Sequence, residues 1–255
     1  MSHTVGLRIA TYNVHGCVGR GGLDVGRVAE VVASLECDVV ALQELDVGRP
    51  RSGAVDQAAR IAERVGAHVA FGQACDFGDG GTYGNAILSR WPIDRAHTHA
   101  LPVSRGLRCE PRSVLAATLE TPHGALRAWC THLGVRGYER EAQGHTVLGH
   151  VAAALGESDA PMVLLGDLNA GVDTPLVREL ATHLVDVRRR TTARTATFPA
   201  ILPMFALDHA FVSAPFVVRD VSVPRTPATV LASDHLPLVV TLDWPLRERP
   251  GAHLA

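Results

Sequence analysis

The segment Met162-Val163-Leu164-Leu165-Gly166-Asp167-Leu168-Asn169 places two polar side chains directly after an apolar run. Four successive apolar residues followed by glycine are typical of a short buried strand. Asp167 and Asn169 therefore stand at the end of a predicted strand, which is where α/β proteins gather their binding and catalytic groups. We expect a sheet with a polar crevice at this edge.

Strands and helices are mixed along the whole chain. Helices are predicted after the N-cap residue Asp24 and over residues 55–65 and 138–155. Hairpins such as the turn at residues 121–124 interrupt a regular βαβ alternation. We therefore expect one α/β domain over residues 1–248, followed by a frayed polar tail over residues 249–255. Strands are predicted over residues 7–14, 38–42, 68–71, 86–88, 113–119, 125–130, 162–165, 207–212, 216–223 and 236–242.

The composition excludes several classes of protein. Hydrophobic residues make up 47% of the chain and charged residues 20%, which is a globular balance and not that of a disordered chain. No apolar run reaches the roughly 18 residues that span a bilayer, and the N-terminus does not resemble a secretory signal, so a cytoplasmic location is expected. The five cysteines form no Cys-x-x-Cys pair, which argues against zinc or a redox dithiol. The net charge is −2, and the longest basic run is Arg188-Arg189-Arg190, so no basic stripe for a nucleic-acid backbone is evident.

Other polar residues follow predicted strands in the same way as Asp167. Carboxylate and amide oxygens are the ligands that Mg²⁺ and Mn²⁺ prefer, whereas zinc would favour histidine or thiolate. An Asp–His pair supplies a base held in one tautomer, and an asparagine can donate to a phosphoryl oxygen where charge develops. Each residue has an ordinary structural use on its own, but the set favours metal-assisted phosphoester chemistry. The residues are Asn13, Glu44, His132, Asp167, Asn169, Asp208, His209, Asp234 and His235.

Seven short segments around these residues resemble the endonuclease/exonuclease/phosphatase superfamily. That superfamily includes deoxyribonucleases, apurinic-site endonucleases, inositol-polyphosphate phosphatases and neutral sphingomyelinases. They occur in the order typical of that family and extend from residue 11 to residue 237. Gly-Asp-x-Asn followed later by Ser-Asp-His is the most specific part of the pattern. The segments are Thr11-Tyr12-Asn13-Val14-His15-Gly16, Gln43-Glu44, Tyr83-Gly84-Asn85-Ala86, Thr131-His132-Leu133, Gly166-Asp167-Leu168-Asn169, Leu207-Asp208-His209 and Ser233-Asp234-His235-Leu236-Pro237.

The resemblance implies a four-layer α/β sandwich, in which two packed, mostly antiparallel or mixed sheets are flanked by helices and carry the site at one edge. It implies that Glu44 binds the metal, with Asn13 and Asp234 beside it. The expected ion is Mg²⁺, for which Mn²⁺ can substitute. Asp167 would position or deprotonate the attacking water, and Asn169 would hold the phosphate.

The remaining implied roles concern the two histidines and the substrate pocket. His235, oriented by Asp208, would act either as the general base or as a phosphate-stabilising imidazolium. His132 would stabilise the phosphoryl oxygens or aid the leaving group. The implied reaction is in-line attack of water on phosphorus without a covalent enzyme intermediate. Tyr83, Asn85 and Arg112 resemble residues that line the substrate pocket.

The substrate is less constrained than the reaction, because one fold and catalytic set serve many substrates. Residues 201–205 place Ile201, Leu202, Met204 and Phe205 just before the predicted site residue Asp208. This apolar stretch is either buried core, a dimer contact or a lip for a partly hydrophobic substrate. With the mild acidity of the chain, it favours a small-molecule or lipid-type phosphodiesterase or phosphomonoesterase. A DNA or RNA nuclease is the alternative, and a non-catalytic binding module is remote because no metal or base residue is missing.

Three other features have competing interpretations. His97-x-His99 resembles a metal-binding pair on a strand, but we interpret it as an exposed loop after Trp91-Pro92. Arg49 and Arg51 either clamp a second phosphate or are solvated. Residues 19–22 lack a complete phosphate-loop pattern and are interpreted as a turn. The oligomeric state is not indicated.

Overall fold

The computed structural model describes residues 4–103 and 109–245, so the tail expected over residues 249–255 lies outside the described residues. Five α-helices are present there: α1 (Val25–Ser34), α2 (Gln57–Val65), α3 (Gly137–Glu157), α4 (Pro175–His183) and α5 (Pro227–Ala232). The strands are β1 (Thr4–Asn13), β2 (Val18–Gly19), β3 (Gly22–Leu23), β4 (Val39–Val47), β5 (His68–Asp76), β6 (Thr82–Ser89), β7 (Ile93–Ala100), β8 (Ser113–Thr121), β9 (Gly124–His132), β10 (Met162–Asp167), β11 (Val185–Asp186), β12 (Asp208–Val212), β13 (Val217–Ser222) and β14 (Leu238–Pro245).

Two six-stranded sheets form the centre of the molecule. The first has the order β13-β14-β1-β4-β6-β5, and the second has the order β11-β12-β10-β9-β8-β7. Within the described strands, β1 and β4 are the parallel pair of the first sheet, and β9 and β10 are that of the second. All other pairings are antiparallel, so both sheets are mixed, as expected.

Successive side chains of each strand alternate between the two faces of its sheet, and this alternation produces the four layers. In β1, Ile9 faces the core between the two sheets, whereas Ala10 and Tyr12 face α1 and α2 on the outer side. In β10, Val163 faces the same inter-sheet core, whereas Leu164 faces the helices that cover the second sheet. Successive strand residues point to opposite faces, so each sheet is buried on both sides. The predicted helix–sheet–sheet–helix sandwich is confirmed.

Local sequence signals explain where several elements begin and end. The side chain of Asp24 accepts a hydrogen bond from the Arg27 backbone N–H and so caps α1, as predicted. Gly66, with a left-handed φ of 67°, ends α2. The hairpin between β8 and β9 pairs Thr121 with Gly124, which confirms the predicted turn.

Two predictions about the strands were wrong. The strand predicted over residues 38–42 continues to Val47, because a β-bulge between Leu42 and Leu45 lets it keep pairing with β6. The segment with His97 and His99 is an edge strand, β7, and not a loop, because it pairs with β8 along its whole length. No helix in the described part of the chain is long and apolar enough to cross a membrane.

The fold brings the ends of both parallel pairs to one edge. Asn13 ends β1 opposite Gln43 in β4, and His132 ends β9 opposite Asp167 in β10. Asp167 in turn lies opposite Asp208, the first residue of β12. Parallel strands that end at the same edge leave their polar end residues side by side, and this edge is where the site lies.

Candidate active site

Asn13 joins the two sheets at this edge. Its amide nitrogen donates to Glu44 Oε1 at 2.9 Å and to Asp167 Oδ2 at 3.0 Å, while its amide oxygen accepts from the His15 backbone N–H at 3.0 Å. Glu44 comes from the first sheet and Asp167 from the second, so one amide group brings two carboxylates together. An asparagine suits this position because its amide offers both donors and an acceptor.

Glu44 owes its position to the bulge in β4. Its φ of 63° lies in the left-handed region, which costs a non-glycine residue about 1–2 kcal/mol. The bulge turns the carboxylate toward the crevice, where its side chain is 22% exposed while Asp167 is fully buried. Strained backbone at a polar crevice is typical of a residue held for binding or catalysis.

Asp208, His235 and Asp167 form a compact buried cluster. His235 Nδ1 lies 2.8 Å from Asp208 Oδ2, and His235 Nε2 lies 3.6 Å from Asp167 Oδ2. The hydroxyl of Ser233 fixes this segment, because it donates to the Asn13 carbonyl at 2.8 Å and accepts from the His235 backbone N–H at 3.2 Å. The imidazole is therefore held with one nitrogen on Asp208 and the other facing the crevice.

The charges of this cluster move two pKa values in the metal-free chain. Burial by itself would lower the pKa of His235, but the charge and hydrogen bond of Asp208, together with Asp167 and Asp234, raise it to about 10. Burial and the neighbouring Asp208 raise the pKa of Asp167 to about 7, against the opposing effects of His235 and Asn13. His235 is thus an imidazolium at neutral pH, and Asp167 is poised to exchange a proton.

His132 lies across the crevice from His235 and has a different protonation state. Arg112 Nη1 donates to His132 Nδ1 at 3.0 Å, so the ring hydrogen of the neutral imidazole stands on Nε2. Burial, Arg112 and His235 lower the pKa of His132 well below its ordinary value. Its Nε2 lies 3.6 Å from Asp167 Oδ2, while the amide nitrogen of Asn169, 3.1 Å from Nε2, is itself a donor and donates to the Leu133 carbonyl at 2.9 Å. His132 therefore presents a neutral N–H donor to the crevice.

The residues predicted to line the pocket lie on the side of His132. Arg112 pairs with Glu110 at 2.8 Å, and its Nε is buried without a hydrogen-bond partner among the described residues. Tyr83 is buried close to Arg112, and burial followed by the charges of Glu44 and Glu110 raises its pKa well above the ordinary value. Asn85 is also buried and donates to the Ser113 carbonyl. Glu110 was missed in the sequence because a single glutamate two residues before Arg112 carries no pattern.

Arg49 and Arg51 are both engaged in ion pairs. Arg51 donates twice to the Asp46 carboxylate, at 2.7 and 2.8 Å, and Arg49 donates to Asp79 at 2.7 Å. The Arg49 side chain is buried, so the alternative that it is simply solvated is wrong. Whether either arginine contacts a second phosphate stays a prediction.

The donor set suits a hard divalent cation. In the described residues, the group of potential ligands whose atoms lie within 4.8 Å of one another is Asp167, Asp208 and His235. Asp208 Oδ2 and His235 Nδ1 are already hydrogen-bonded to each other, whereas the carboxylates of Glu44 and Asp167 are held together by Asn13 as neighbouring oxygen donors. Asp234 also lies at the mouth, 3.6 Å from His15 Nδ1. The predicted ligands Glu44, Asn13 and Asp234 are thus compatible with this arrangement and stay a prediction.

The apolar stretch beside the site is exposed. Relative exposure is 47% for Ile201, 63% for Leu202, 63% for Met204 and 52% for Phe205. The interpretation as buried core is therefore wrong for these four side chains. The stretch is connected to the site through Phe198, whose ring centroid lies 4.8 Å from that of His235.

Comparisons with known proteins agree with this geometry. The profile of the Endonuclease/Exonuclease/phosphatase family matches residues 10–235, and the chain belongs to this family. It is 29% identical to the Escherichia coli protein YbhP over 186 residues, which are 70% of this chain and 69% of YbhP. The endonuclease/exonuclease/phosphatase structure from Beutenbergia cavernae is 28% identical, with a TM-score of 0.76 over 97% of this chain and 73% of that one. The mannosyl-6-phosphatase Bt3783 of Bacteroides thetaiotaomicron shares the fold, with 21% identity and a TM-score of 0.72 over 92% of this chain and 99% of that one.

Members of the family are hydrolases that act on phosphoester bonds and generally use divalent metals. The chain is accordingly a phosphoester hydrolase of this family.

Proposed function

We propose that the chain is a Mg²⁺-dependent phosphodiesterase or phosphomonoesterase that acts on a small-molecule or lipid-type phosphoester. The observation that carries the proposal is the bridge made by Asn13, which holds the carboxylates of Glu44 and Asp167 opposite the Asp208–His235 pair. A crevice with carboxylate oxygens on one side and an imidazolium on the other suits a group that is anionic and metal-bound, as a phosphoester is.

Glu44 would hold the metal, with Asn13 and Asp234 beside it. Such an ion, when bound, would neutralise phosphate charge and polarise the phosphoryl group. Mg²⁺ fits the oxygen donors, and Mn²⁺ would substitute because it accepts the same ligands.

Asp167 and His235 would act on the attacking water and on the phosphate. Burial keeps the pKa of Asp167 at about 7, so its Oδ2 can orient the water and accept its proton. His235 faces the same oxygen through Nε2 and, because its pKa is about 10, it would serve as the imidazolium that stabilises the phosphoryl oxygens. This choice between the two roles implied for His235 follows from its contact with Asp208.

His132 and Asn169 would complete the phosphate site. The Nε2–H of His132 is a donor that Arg112 keeps in place, and the Asn169 amide nitrogen, a second donor, lies 3.1 Å from Nε2. Preorganised donors aimed at developing negative charge contribute on the order of 10²–10³ in rate each. Water would attack phosphorus in line, and no side chain would become covalently bound.

A panel of phosphoesters tests the proposal. It includes nucleotides, phospholipid head-group esters, and single- and double-stranded DNA, each assayed with Mg²⁺, with Mn²⁺ and with chelator. We expect turnover of short esters that stops with chelator, and a loss of at least ~10²-fold in Glu44→Gln. Glu120→Gln, which removes an exposed glutamate near the far end of β8, is the matched control and should leave turnover unchanged.

Two results would contradict the proposal. Turnover that continues at full rate with chelator would exclude a divalent ion. Cleavage of DNA alone, falling steeply between about 50 and 200 mM salt, would identify a nuclease instead.

A further inference from the structure

Exposed apolar side chains lie beside the active site on residues 199–205, which we call the apolar rim. Part of its backbone is hydrogen-bonded within a tight turn: Phe205 N–H donates to the Phe198 carbonyl at 2.8 Å, and Leu202 N–H donates to the Pro199 carbonyl at 3.0 Å. The side chains of Leu202 and Met204 are each 63% exposed. The backbone N–H groups of Ala200, Leu202, Met204 and Phe205 all have carbonyl acceptors, which lowers the cost of placing the rim against an apolar phase.

The apolar rim is rigidly attached to the catalytic residues. Ala200 N–H donates to the Asp234 carbonyl at 2.7 Å, and Leu236 N–H donates to the Thr197 carbonyl at 2.8 Å. The ring of Phe198 lies against His235. Whatever covers the rim therefore lies next to the mouth of the site.

The exposed apolar surface extends beyond the rim. Arg225 donates to the Ile201 carbonyl at 2.8 Å and so connects the rim to the segment that starts α5. At the other end of α5, Leu231 is 44% exposed, and its carbonyl accepts from the Arg20 backbone N–H in the β2–β3 hairpin. That hairpin carries Val18 and Leu23, which are both 43% exposed. Exposed apolar side chains on segments that contact one another favour an interaction surface here.

The same segments are positively charged, although the whole chain is not. Residues 187–207 contain four arginines, of which Arg188 is buried and Arg189 pairs with Asp186, and they contain no acidic residue. Residues 221–233 contain Arg225 and no acidic residue. Arg20, Arg194 and Arg225 are all exposed. The acid of the hairpin region, Asp24, is paired with Arg27 at 3.0 Å. This local bias is opposite to the net charge of −2 and complements an anionic surface.

We infer that the apolar rim, together with Leu231 and the β2–β3 hairpin, docks on the surface of an anionic lipid membrane. Apolar side chains that insert between head groups, flanked by arginines that contact anionic lipids, are the two components of interfacial binding. Docking would bring the mouth of the site to the level of the phosphoester head groups. That docking brings the site to its substrate rests on the proposed function, but the binding to the membrane is itself independent of catalysis.

A second copy of the chain suits this surface less well. A two-fold contact through the rim would place the same patch against itself. The segments of both copies that carry Arg20, Arg194 and Arg225 would then be brought together, which is electrostatically unfavourable. A membrane with anionic lipids presents no such conflict.

Vesicle cosedimentation tests the inference. The full chain is mixed with vesicles of phosphatidylcholine alone, or with about one third phosphatidylglycerol added to supply the anionic surface. We expect stronger binding to the anionic vesicles, weakened by salt. Leu202→Glu and Met204→Glu should each lower the partition coefficient at least ~10-fold, because a charge replaces an inserted apolar side chain.

Val217→Glu is the matched control. Val217 is 46% exposed, but it lies at the start of β13 opposite Asp243, near the end of the first sheet that is remote from Asn13. It should bind vesicles like the unmodified chain. Circular dichroism and the thermal midpoint of each variant establish that the Glu variants are folded.

Three outcomes overturn the inference. They are no binding of the unmodified chain to anionic vesicles, equal binding by Leu202→Glu and Val217→Glu, or a rim-dependent dimer in sedimentation equilibrium without vesicle binding. The ester panel separates the two proposals. Hydrolysis of soluble esters without vesicle binding removes only the docking surface, and vesicle binding without any hydrolysis removes only the proposed function.

Discussion

Asp208→Asn tests whether His235 works as an imidazolium. Asp208 Oδ2 lies 2.8 Å from His235 Nδ1, and both side chains are buried. Asparagine has almost the same shape, so the substitution removes the negative charge and leaves the packing in place. Asp243→Asn is the matched control, because Asp243 pairs with Arg219 on the surface near the opposite end of the first sheet.

The expected change in the pKa of His235 follows from the groups that stabilise its protonated imidazole. In the unmodified chain, burial lowers the pKa of His235, and the carboxylates of Asp208, Asp167 and Asp234 overcome burial to give a pKa of about 10. Without the Asp208 charge, burial acts on the imidazole with weaker opposition. We expect the pKa to fall to 6.5 or below, a change of at least about 3.5 pH units or about 5 kcal/mol in favour of the neutral ring.

Two measurements on the variant follow from this fall. Titration of the imidazole by nuclear magnetic resonance, on metal-free protein, gives the pKa directly. Turnover at pH 7.5 should drop at least about 10-fold, because an imidazole with a pKa of 6.5 or below is at most about one tenth protonated at that pH. An imidazole pKa that stays above about 8, or a change in turnover below about threefold, would refute the reasoning.

The same pair also affects stability with a definite sign. Because the folded pKa of His235 lies above the unfolded value, its stabilising contribution is fully present below pH 6.5 and is lost as the pH rises through about 10. The metal-free chain should therefore lose stability between pH 7 and pH 10 more steeply than Asp208→Asn, as measured by urea denaturation.

Three further substitutions have defined outcomes. Glu44→Ala should abolish the rise in thermal midpoint that Mg²⁺ or Mn²⁺ gives the unmodified chain, since a cation that binds only the folded state stabilises it; an equal rise in the variant would contradict the ligand assignment. Arg112→Lys should lower kcat at least ~10-fold and disturb the single Nε2–H tautomer of His132, visible in its ¹⁵N shifts, because lysine is a point donor without the planar guanidinium. Tyr12→Phe should leave the free energy of unfolding unchanged within ~1 kcal/mol or raise it, because the Tyr12 hydroxyl is buried without a partner in the described part of the chain; a larger loss in urea denaturation would reveal a partner.

The features that could be predicted from the sequence are those set by neighbouring residues. Asp24 caps α1 through an N–H three residues away, and the β8–β9 turn closes over two residues. Apolar periodicity within single segments likewise located most strands and helices. Two helices, α4 and α5, were missed, and the six residues of α5 give too little periodicity to identify a helix.

The missed or misplaced features depend on partners far away in the chain. The β7 segment carries mostly exposed polar side chains, and its strand conformation comes from hydrogen bonding to β8. The bulge at Glu44 exists because β4 keeps pairing with β6 on both sides of it. The bridge from Asn13 to Asp167 joins residues 154 positions apart. The list of site residues could be predicted from motifs, whereas these contacts arise only when both sheets are packed.

The two sides of the crevice, one near Tyr83 and the other near the apolar rim, differ in the charge that they present to a substrate. On the side of Tyr83, the arginines are neutralised by adjacent carboxylates, so this wall offers little unpaired positive charge to a polyanionic backbone. A protein binds a nucleic acid through many cationic side chains, which neutralise the phosphates and release their counterions. Arginines that are already paired with carboxylates are poorly placed to do this. On the opposite side, exposed arginines accompany the apolar rim, and the arrangement fits a substrate with one anionic group and an apolar part. The neutralised pairs are Arg49–Asp79, Arg51–Asp46 and Arg112–Glu110.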